Sequence, residues 1–227
     1  MRADAIALDL DGTLVDSAPD IAAALAHALR AEHFDAGFDL RTVRAWVGDG
    51  PDALIRRALA ARGVLDVHPT LLQRLRAHFD DATLAAPLAH GSVYEGVEPT
   101  LRELAGRMPL AVVTNKPTLL ARAVLEAAGL LPWCTAVMGA DKPSQRKPAP
   151  ALLLVAAELF GVPPARLLMV GDGPADLRAA AAAGCPAALV AWGYGGVADP
   201  GPTVWRLHAP RQLLALLPPV MADRLTP

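Results

Sequence analysis

The sequence predicts an α/β protein: a Rossmann-like, doubly wound parallel sheet with an α-helical cap inserted after its first strand. Three observations predict it. The apolar run Ala5-Ile6-Ala7-Leu8 stops abruptly at Asp9-Leu10-Asp11-Gly12-Thr13, and such a run reads as a central parallel strand, covered on both faces. Residues from about 18 to 85 carry helical periodicity and almost no β-branched runs. From Pro87 onward, strand-like and helix-like segments alternate, which implies parallel strands joined by helical crossovers.

The elements follow in order. A helix is expected over Ile21 to Ala31, with Pro19 and Asp20 at its start. A second covers Leu40 to Val47 and breaks at Gly48-Asp49-Gly50. Pro51 opens a third, with Leu54, Ile55, Ala58 and Leu59 on one face, and a fourth begins near Pro69 with Leu71, Leu72, Leu75 and Phe79. These stripes have no strand to cover, so the helices should pack on one another. Strands are expected at Leu110 to Thr114, Ala136 to Met138, Arg166 to Gly171 and Ala187 to Ala191, with an edge strand at Thr203 to Leu207. Helices should run from Pro117 to Ala128, Ala151 to Phe160, Pro174 to Ala183 and Gln212 to Leu217. The expected division is a catalytic core of residues 1–15 and 87–227 and a helical cap of 16–86. Hinges are expected near 15–18 and 81–88, and a loose tail after Pro218.

Composition narrows the function. The 227 residues carry a formal charge of −2 and no long basic run, which argues against nucleic acid as a partner. No apolar stretch reaches membrane-spanning length without Gly, Pro or charge. Cys134 and Cys185 form no ligand-spaced motif and read as reduced core thiols of a cytoplasmic protein. The six histidines show no ligand spacing. Monomer and homodimer both remain open.

Polar residues cluster where strands end or helices begin: Asp9 and Asp11; Thr114-Asn115-Lys116; Lys147 ahead of Pro148-Ala149-Pro150; Gly171-Asp172-Gly173 with Asp176. In a parallel sheet those ends share one rim. Oxygen ligands without His or Cys favour Mg²⁺. A carboxylate that is both exposed and close to a cation can attack phosphorus, and phosphoryl transfer needs little beyond positioning and charge neutralisation. The expected chemistry is a phosphoaspartate mechanism on a small phosphorylated substrate. Lys116 and Lys142 compete with Lys147 for the cationic role.

Asp9-Leu10-Asp11-Gly12-Thr13-Leu14-Val15-Asp16-Ser17, Thr114-Asn115, Lys147-Pro-Ala-Pro, and Gly171-Asp172 with Asp176 resemble, in order, the four motifs of the haloacid dehalogenase superfamily. Within it, Arg44-Ala-Trp46-Val-Gly48-Asp49-Gly50-Pro51, Val112-Val113-Thr114-Asn115-Lys116-Pro117-Thr118 and Ala181-Ala182-Ala183-Gly184-Cys185-Pro186 resemble the phosphoglycolate phosphatase family. The resemblance implies hydrolysis of 2-phosphoglycolate to glycolate and phosphate. It implies Asp9 as nucleophile and Mg²⁺ ligand, and Asp11 as general acid–base with its backbone carbonyl on the metal. Thr114 and Lys147, helped by Asn115, would hold the phosphoryl group. Asp172 would complete the metal site, and Asp176 would support it or steady Lys147. Gly12, Gly48, Gly50 and Arg57 are candidate substrate-binding residues, with Arg57 on the substrate carboxylate.

The resemblance also supplies rivals. Dehalogenases lack the second aspartate, so Asp11 argues against that activity. A Schiff-base lysine in the cap is excluded because residues 15–86 contain no lysine. A sugar-phosphate or pyrophosphate phosphatase and a β-phosphoglucomutase-like phosphotransferase remain. Two positions depart from the family pattern: Gly173 stands where a serine is usual, and Asp49 where the cap turn usually has asparagine.

Overall fold

The structure is a computed structural model that describes residues 3–216. The tail after Pro218 and the end of the helix expected to reach Leu217 lie outside them. The chain begins with β1 (Ala5–Leu8), followed by the short β2 (Val15–Asp16). Four helices follow: α1 (Ala18–Ala31), α2 (Leu40–Trp46), α3 (Pro51–Ala60) and α4 (Pro69–Ala85). Then come β3 (Ser92–Val93), α5 (Val97–Ala105), β4 (Leu110–Thr114), α6 (Thr118–Ala127), β5 (Ala136–Gly139) and α7 (Ala151–Leu159). The last elements are β6 (Leu167–Gly171), α8 (Pro174–Ala183), β7 (Ala187–Val190), β8 (Trp205–Leu207) and α9 (Gln212–Ala215).

Among the described residues, six strands form one parallel sheet in the order β5-β4-β1-β6-β7-β8. From β1 the chain builds outward through β4 to β5, then returns across β1 to lay down β6, β7 and β8. The strand order therefore reverses beside β1, where an open α/β sheet forms its ligand crevice.

Side-chain alternation shapes the two faces. Ile6, Leu8, Leu110, Val112, Leu168 and Val170 point into a core completed by α5, α6 and α9. Ala5, Ala7, Ala111 and Val113 point the other way, toward α7 and α8, which bring Ala156, Ala157, Ala179 and Ala180 to the contact. Small residues on both partners let those helices lie close on the sheet. Large side chains thus fill one layer and close approach fills the other. Each fully buried Leu or Ile contributes roughly 1.5–3 kcal/mol.

The helical block has its own core, built from Ile21, Leu25 and Leu29 of α1, Leu54, Ile55 and Leu59 of α3, and Leu75 and Phe79 of α4. Leu120 of α6 joins this cluster from the sheet domain. The two connections to the sheet run side by side, because β2 and β3 pair antiparallel through Val15↔Val93 and Asp16↔Ser92. Residues 81–85 are not a linker but the last turn of α4, since nothing before Pro87 breaks the helix; the second connection spans 86–91. The buried Asp20 braces it, accepting hydrogen bonds from His90 N and Gly91 N, both at 2.8 Å. The helix α5 and the β2–β3 pair were not anticipated. Cys134 and Cys185 are free, and burial pushes each thiol up to about 11. No helix among the described residues is long and apolar enough to cross a membrane.

Candidate active site

Asp9 follows the last residue of β1, and its N–H donates to Val170 O at 2.9 Å, extending the ladder by one step. The strand has ended by Asp11, so simple alternation does not bring the two acids together. A tight turn does. Leu10 O accepts from the N–H groups of Thr13, Leu14 and Val15, and Gly12 sits at φ +82°. A side chain at Gly12 would be strained at that φ and would strike the Asp172 carboxylate and the Tyr194 ring. Both acids therefore face one cavity.

Lys147 precedes α7 and is almost fully buried. Its ammonium lies 2.8 Å from Asp9 Oδ1 and 2.6 Å from Asp176 Oδ1, and donates to Val113 O at 2.9 Å. The approach to Asp9 Oδ1 is ionic and poorly angled, and that buried oxygen keeps no well-formed hydrogen bond. Asp176, in the first turn of α8, also accepts from Gly173 N at 3.0 Å. It thus closes the helix end and anchors the lysine. Asp172 follows β6, and its Oδ2 accepts from Tyr194 N at 2.6 Å and Gly195 N at 3.1 Å.

Burial governs the charges. It pushes Asp9 up to about 6, with Lys147 pulling the other way and Asp176 adding repulsion. Burial, reinforced by Asp9 and Asp176, pushes Asp172 up to about 7. For Lys147, burial favours loss of the proton, but Asp176 and Asp9 outweigh it and hold the ammonium above the usual lysine range. The oxygens of Asp9, Asp172 and Asp176 lie within 4.8 Å of one another. Counting Asp11 and Lys116, four carboxylates face two ammonium groups. An all-oxygen cluster with an excess of negative charge and one orphaned buried oxygen suits a hard divalent cation.

Thr114 ends β4 and lines the cavity, and its Oγ1 accepts from Lys116 N at 3.2 Å. Asn115 acts as a brace. Its Oδ1 accepts from Lys147 N at 2.7 Å, and its Nδ2 donates to Lys147 O at 3.0 Å and to Gly48 O at 2.8 Å. The sheet domain thereby grips the Gly48–Gly50 turn of the helical block. Gly48 and Gly50 line the cavity. Lys142 is exposed and does not line the cavity.

Arg57 is the sequence candidate that the fold keeps away from the cavity. Its guanidinium donates to Trp46 O at 2.7 Å and pairs with Asp49, and it lines neither lobe. The same pairing answers the question raised by Asp49: its charge sits half-exposed at the rim against an arginine. Gly173, at the other departure, supplies a backbone donor to Asp176.

Lys116, a sequence competitor of Lys147, is buried with its Nζ 3.1 Å from Asp11 Oδ2. Two contacts near the acids had no role assigned from sequence. Ser17 Oγ donates to Asp11 Oδ1. The loop Trp192-Gly193-Tyr194-Gly195 wraps Asp172, and Tyr194 OH donates to Asp16 Oδ1 at 2.7 Å while accepting from Ala18 N at 3.0 Å. The available signal was a glycine-rich run just after an apolar strand. A Cβ at Gly193 or Gly195 would collide with Asp172.

The cavity has two lobes that share Asp9, Asp11, Val47 and Gly48. The larger, about 270 Å³, holds Lys147, Asp172 and Asp176; the smaller, about 40 Å³, runs between α3, α4 and α6.

Comparison with known proteins agrees with this geometry. Residues 3–184 match the family model described as haloacid dehalogenase-like hydrolase. The chain is 42% identical over 194 residues to the phosphoglycolate phosphatase of Rhodospirillum rubrum, covering 84% of this chain and 80% of that protein. It is 38% identical over 192 residues to the phosphoglycolate phosphatase of Pectobacterium atrosepticum, covering 83% and 80%. A crystal structure described as a predicted phosphoglycolate phosphatase from Haemophilus somnus superposes with a TM-score of 0.86 at 29% identity, over 95% of this chain and 98% of that one. Strand order, four polar clusters on one rim and the matched family model lead to one assignment: the chain belongs to the haloacid dehalogenase-like hydrolases.

Proposed function

We propose that this protein is a cytoplasmic, Mg²⁺-dependent phosphatase that hydrolyses 2-phosphoglycolate to glycolate and phosphate through a phosphoaspartate. The observation that carries the reading is the convergence of Asp9, Asp11, Lys147 and Asp172 on one cavity. The curated relatives named phosphoglycolate phosphatase support the substrate, and the free interior thiols suit a reducing compartment.

Asp9, Asp172 and the Asp11 carbonyl would hold the cation, with Asp176 steadying Lys147. Bound there, Mg²⁺ would neutralise charge on the phosphoryl oxygens. Asp9 Oδ attacks phosphorus as the bond to the glycolate oxygen breaks. Asp11 gives its proton to the departing alkoxide. It then takes a proton from water, whose oxygen attacks phosphorus and releases Asp9 and inorganic phosphate. Lys147 and the Thr114 hydroxyl offset charge on the transferring group. Ser17 and Lys116 hold the Asp11 carboxylate in place for both proton transfers.

A panel of phosphate esters tests the substrate. Phosphoglycolate should give the highest kcat/KM, and EDTA should stop turnover. A preferred sugar phosphate would replace the substrate and leave the chemistry. Cation binding has a readout of its own. Protons on Asp9 (about 6) and Asp172 (about 7) compete with the ion, so Mg²⁺ affinity should weaken roughly tenfold per unit just below pH 7. Calorimetry on the protein without substrate measures this; an affinity flat from pH 8 to 6 would move the cation off these residues.

Residues 16–86 act in this proposal as a cap that closes over the cluster and excludes bulk water. Arg146, next to Lys147, pairs with Asp52 of α3 at 2.8 Å, and Asp52 is shared with Arg76 of α4 at 2.7 Å. Burial raises Asp52, but the two arginines outweigh it and hold the carboxyl below its usual range. Asp52→Asn should therefore loosen the clasp, raising KM about threefold to tenfold and speeding proteolysis at 86–91. An unchanged KM and cleavage rate would mean the clasp does not control closure.

A further inference from the structure

The smaller lobe of the cavity shares Asp9, Asp11, Val47 and Gly48 with the larger one and is otherwise lined by different residues. The core supplies Thr114, Asn115, Lys116 and Leu120, and the helical block supplies Val47, Gly48, Gly50, Pro51, Leu54 and Phe79. Its walls are mostly apolar. Its one cation is Lys116, whose side chain is only 6% exposed. Lys147 lines the other lobe, and Arg57 is held by Asp49.

We infer that Lys116 is the specificity-determining residue of this enzyme, receiving the carboxylate at the far end of a short phosphorylated acid. The inference rests on the phosphatase reading above and deepens it. With the phosphoryl group between Asp9, Lys147 and Asp172, the leaving oxygen must face Asp11, and the rest of the leaving group continues into the compartment that Asp11 shares. That space, about 40 Å³, is much the smaller of the two lobes, which favours a short acid over a sugar ring. An anion entering an apolar compartment needs a partner there. The Lys116 ammonium has three donors. It pairs with Asp11 Oδ2, 3.1 Å away, and keeps donors for a second carboxylate. Leu54, Phe79 and Leu120 keep water from screening that contact and strengthen it. Arg57, the sequence's candidate for this contact, is paired with Asp49 and lines neither lobe.

The test compares 2-phosphoglycolate with ethyl phosphate, which has the same carbon chain and no carboxylate. In the wild type the ratio of their kcat/KM values should favour phosphoglycolate. In Lys116→Met that ratio should fall about tenfold to a hundredfold, the loss of one charge-assisted hydrogen bond in a dry site, whatever happens to the absolute rates. Lys116→Arg should retain part of the preference. A second measurement needs no variant: glycolate should inhibit wild-type turnover of ethyl phosphate competitively, and ethylene glycol should not. A wild type preferring phosphoglycolate whose Lys116→Met variant keeps the full preference overturns this inference alone, as does equal behaviour of glycolate and ethylene glycol. A wild type preferring ethyl phosphate overturns the substrate reading and this inference with it.

Discussion

Asp9→Asn should lower kcat by about 10⁴-fold or more while leaving the metal-free protein as stable as the wild type, or more stable, at pH 7.5. A carboxamide cannot form the acyl phosphate, so the first half of the reaction is lost. Stability should not follow activity, because Asp9 is a charge the fold resists. Burial raises its carboxyl from 3.8 to about 6, so the folded chain binds a proton there more readily than the unfolded chain. Such a group opposes folding once pH exceeds the unfolded value, and its full cost is reached above the folded value. The gain on removing it should therefore be present at pH 7.5 and vanish near pH 4. Lys147 does not become an orphan, since Asp176 and Val113 O still receive it. Phosphate release and melting curves measured at the two pH values check both halves. Turnover within tenfold of wild type would remove Asp9 from the nucleophile role. A large drop in melting temperature would show that its ion pair outweighs its desolvation.

Lys147→Met should cost both activity and stability. The ammonium is the cation held between Asp9 and Asp176, with Asp172 nearby. Removing one partner of a buried charge cluster typically destabilises by about 3–5 kcal/mol, because the others are left uncompensated. Lys147 itself stays protonated across the neutral range, so its own titration shapes nothing there. Without it, the carboxylates resist ionisation still more strongly, and the penalty grows as they are forced to ionise with rising pH. The deficit in urea unfolding should be larger at pH 8 than at pH 5. An equal deficit at both values would assign the loss to packing of the lysine stem rather than to its charge.

The expected elements matched the observed ones where local rules suffice. Pro51, Pro69 and Pro174 each open a helix as predicted, because proline fits the first turn and a stretch with 3.6-residue apolar spacing follows. The strand Leu110–Thr114 falls where the β-branched run does. The misses share a different cause. The β2–β3 pair involves two residues from each strand, too few for any period to register. Strand alternation would put Asp9 and Asp11 on one face only if the strand ran on through both, and it ends at Leu8; the Leu10-centred turn brings them together instead. Arg57 had the right chemistry for a carboxylate, but no reading of its neighbours in sequence predicts that Asp49 lies within its reach.

By itself the sequence determined the fold class, the insertion of helices after the first strand, and the four polar clusters at strand ends. Those are properties of short windows: side-chain period, glycine and proline punctuation, and acids beside an apolar run. Only the tertiary structure decided which charges meet. It placed Lys147 between Asp9 and Asp176, Lys116 against Asp11, and Arg57 away from the cavity. It also folded Tyr194 onto Asp16, 178 residues away. Such pairings depend on strand order and on how the helical block sits over the sheet. An ion pair forms wherever the packed backbone brings two groups within a few ångströms, and distance along the chain does not encode that.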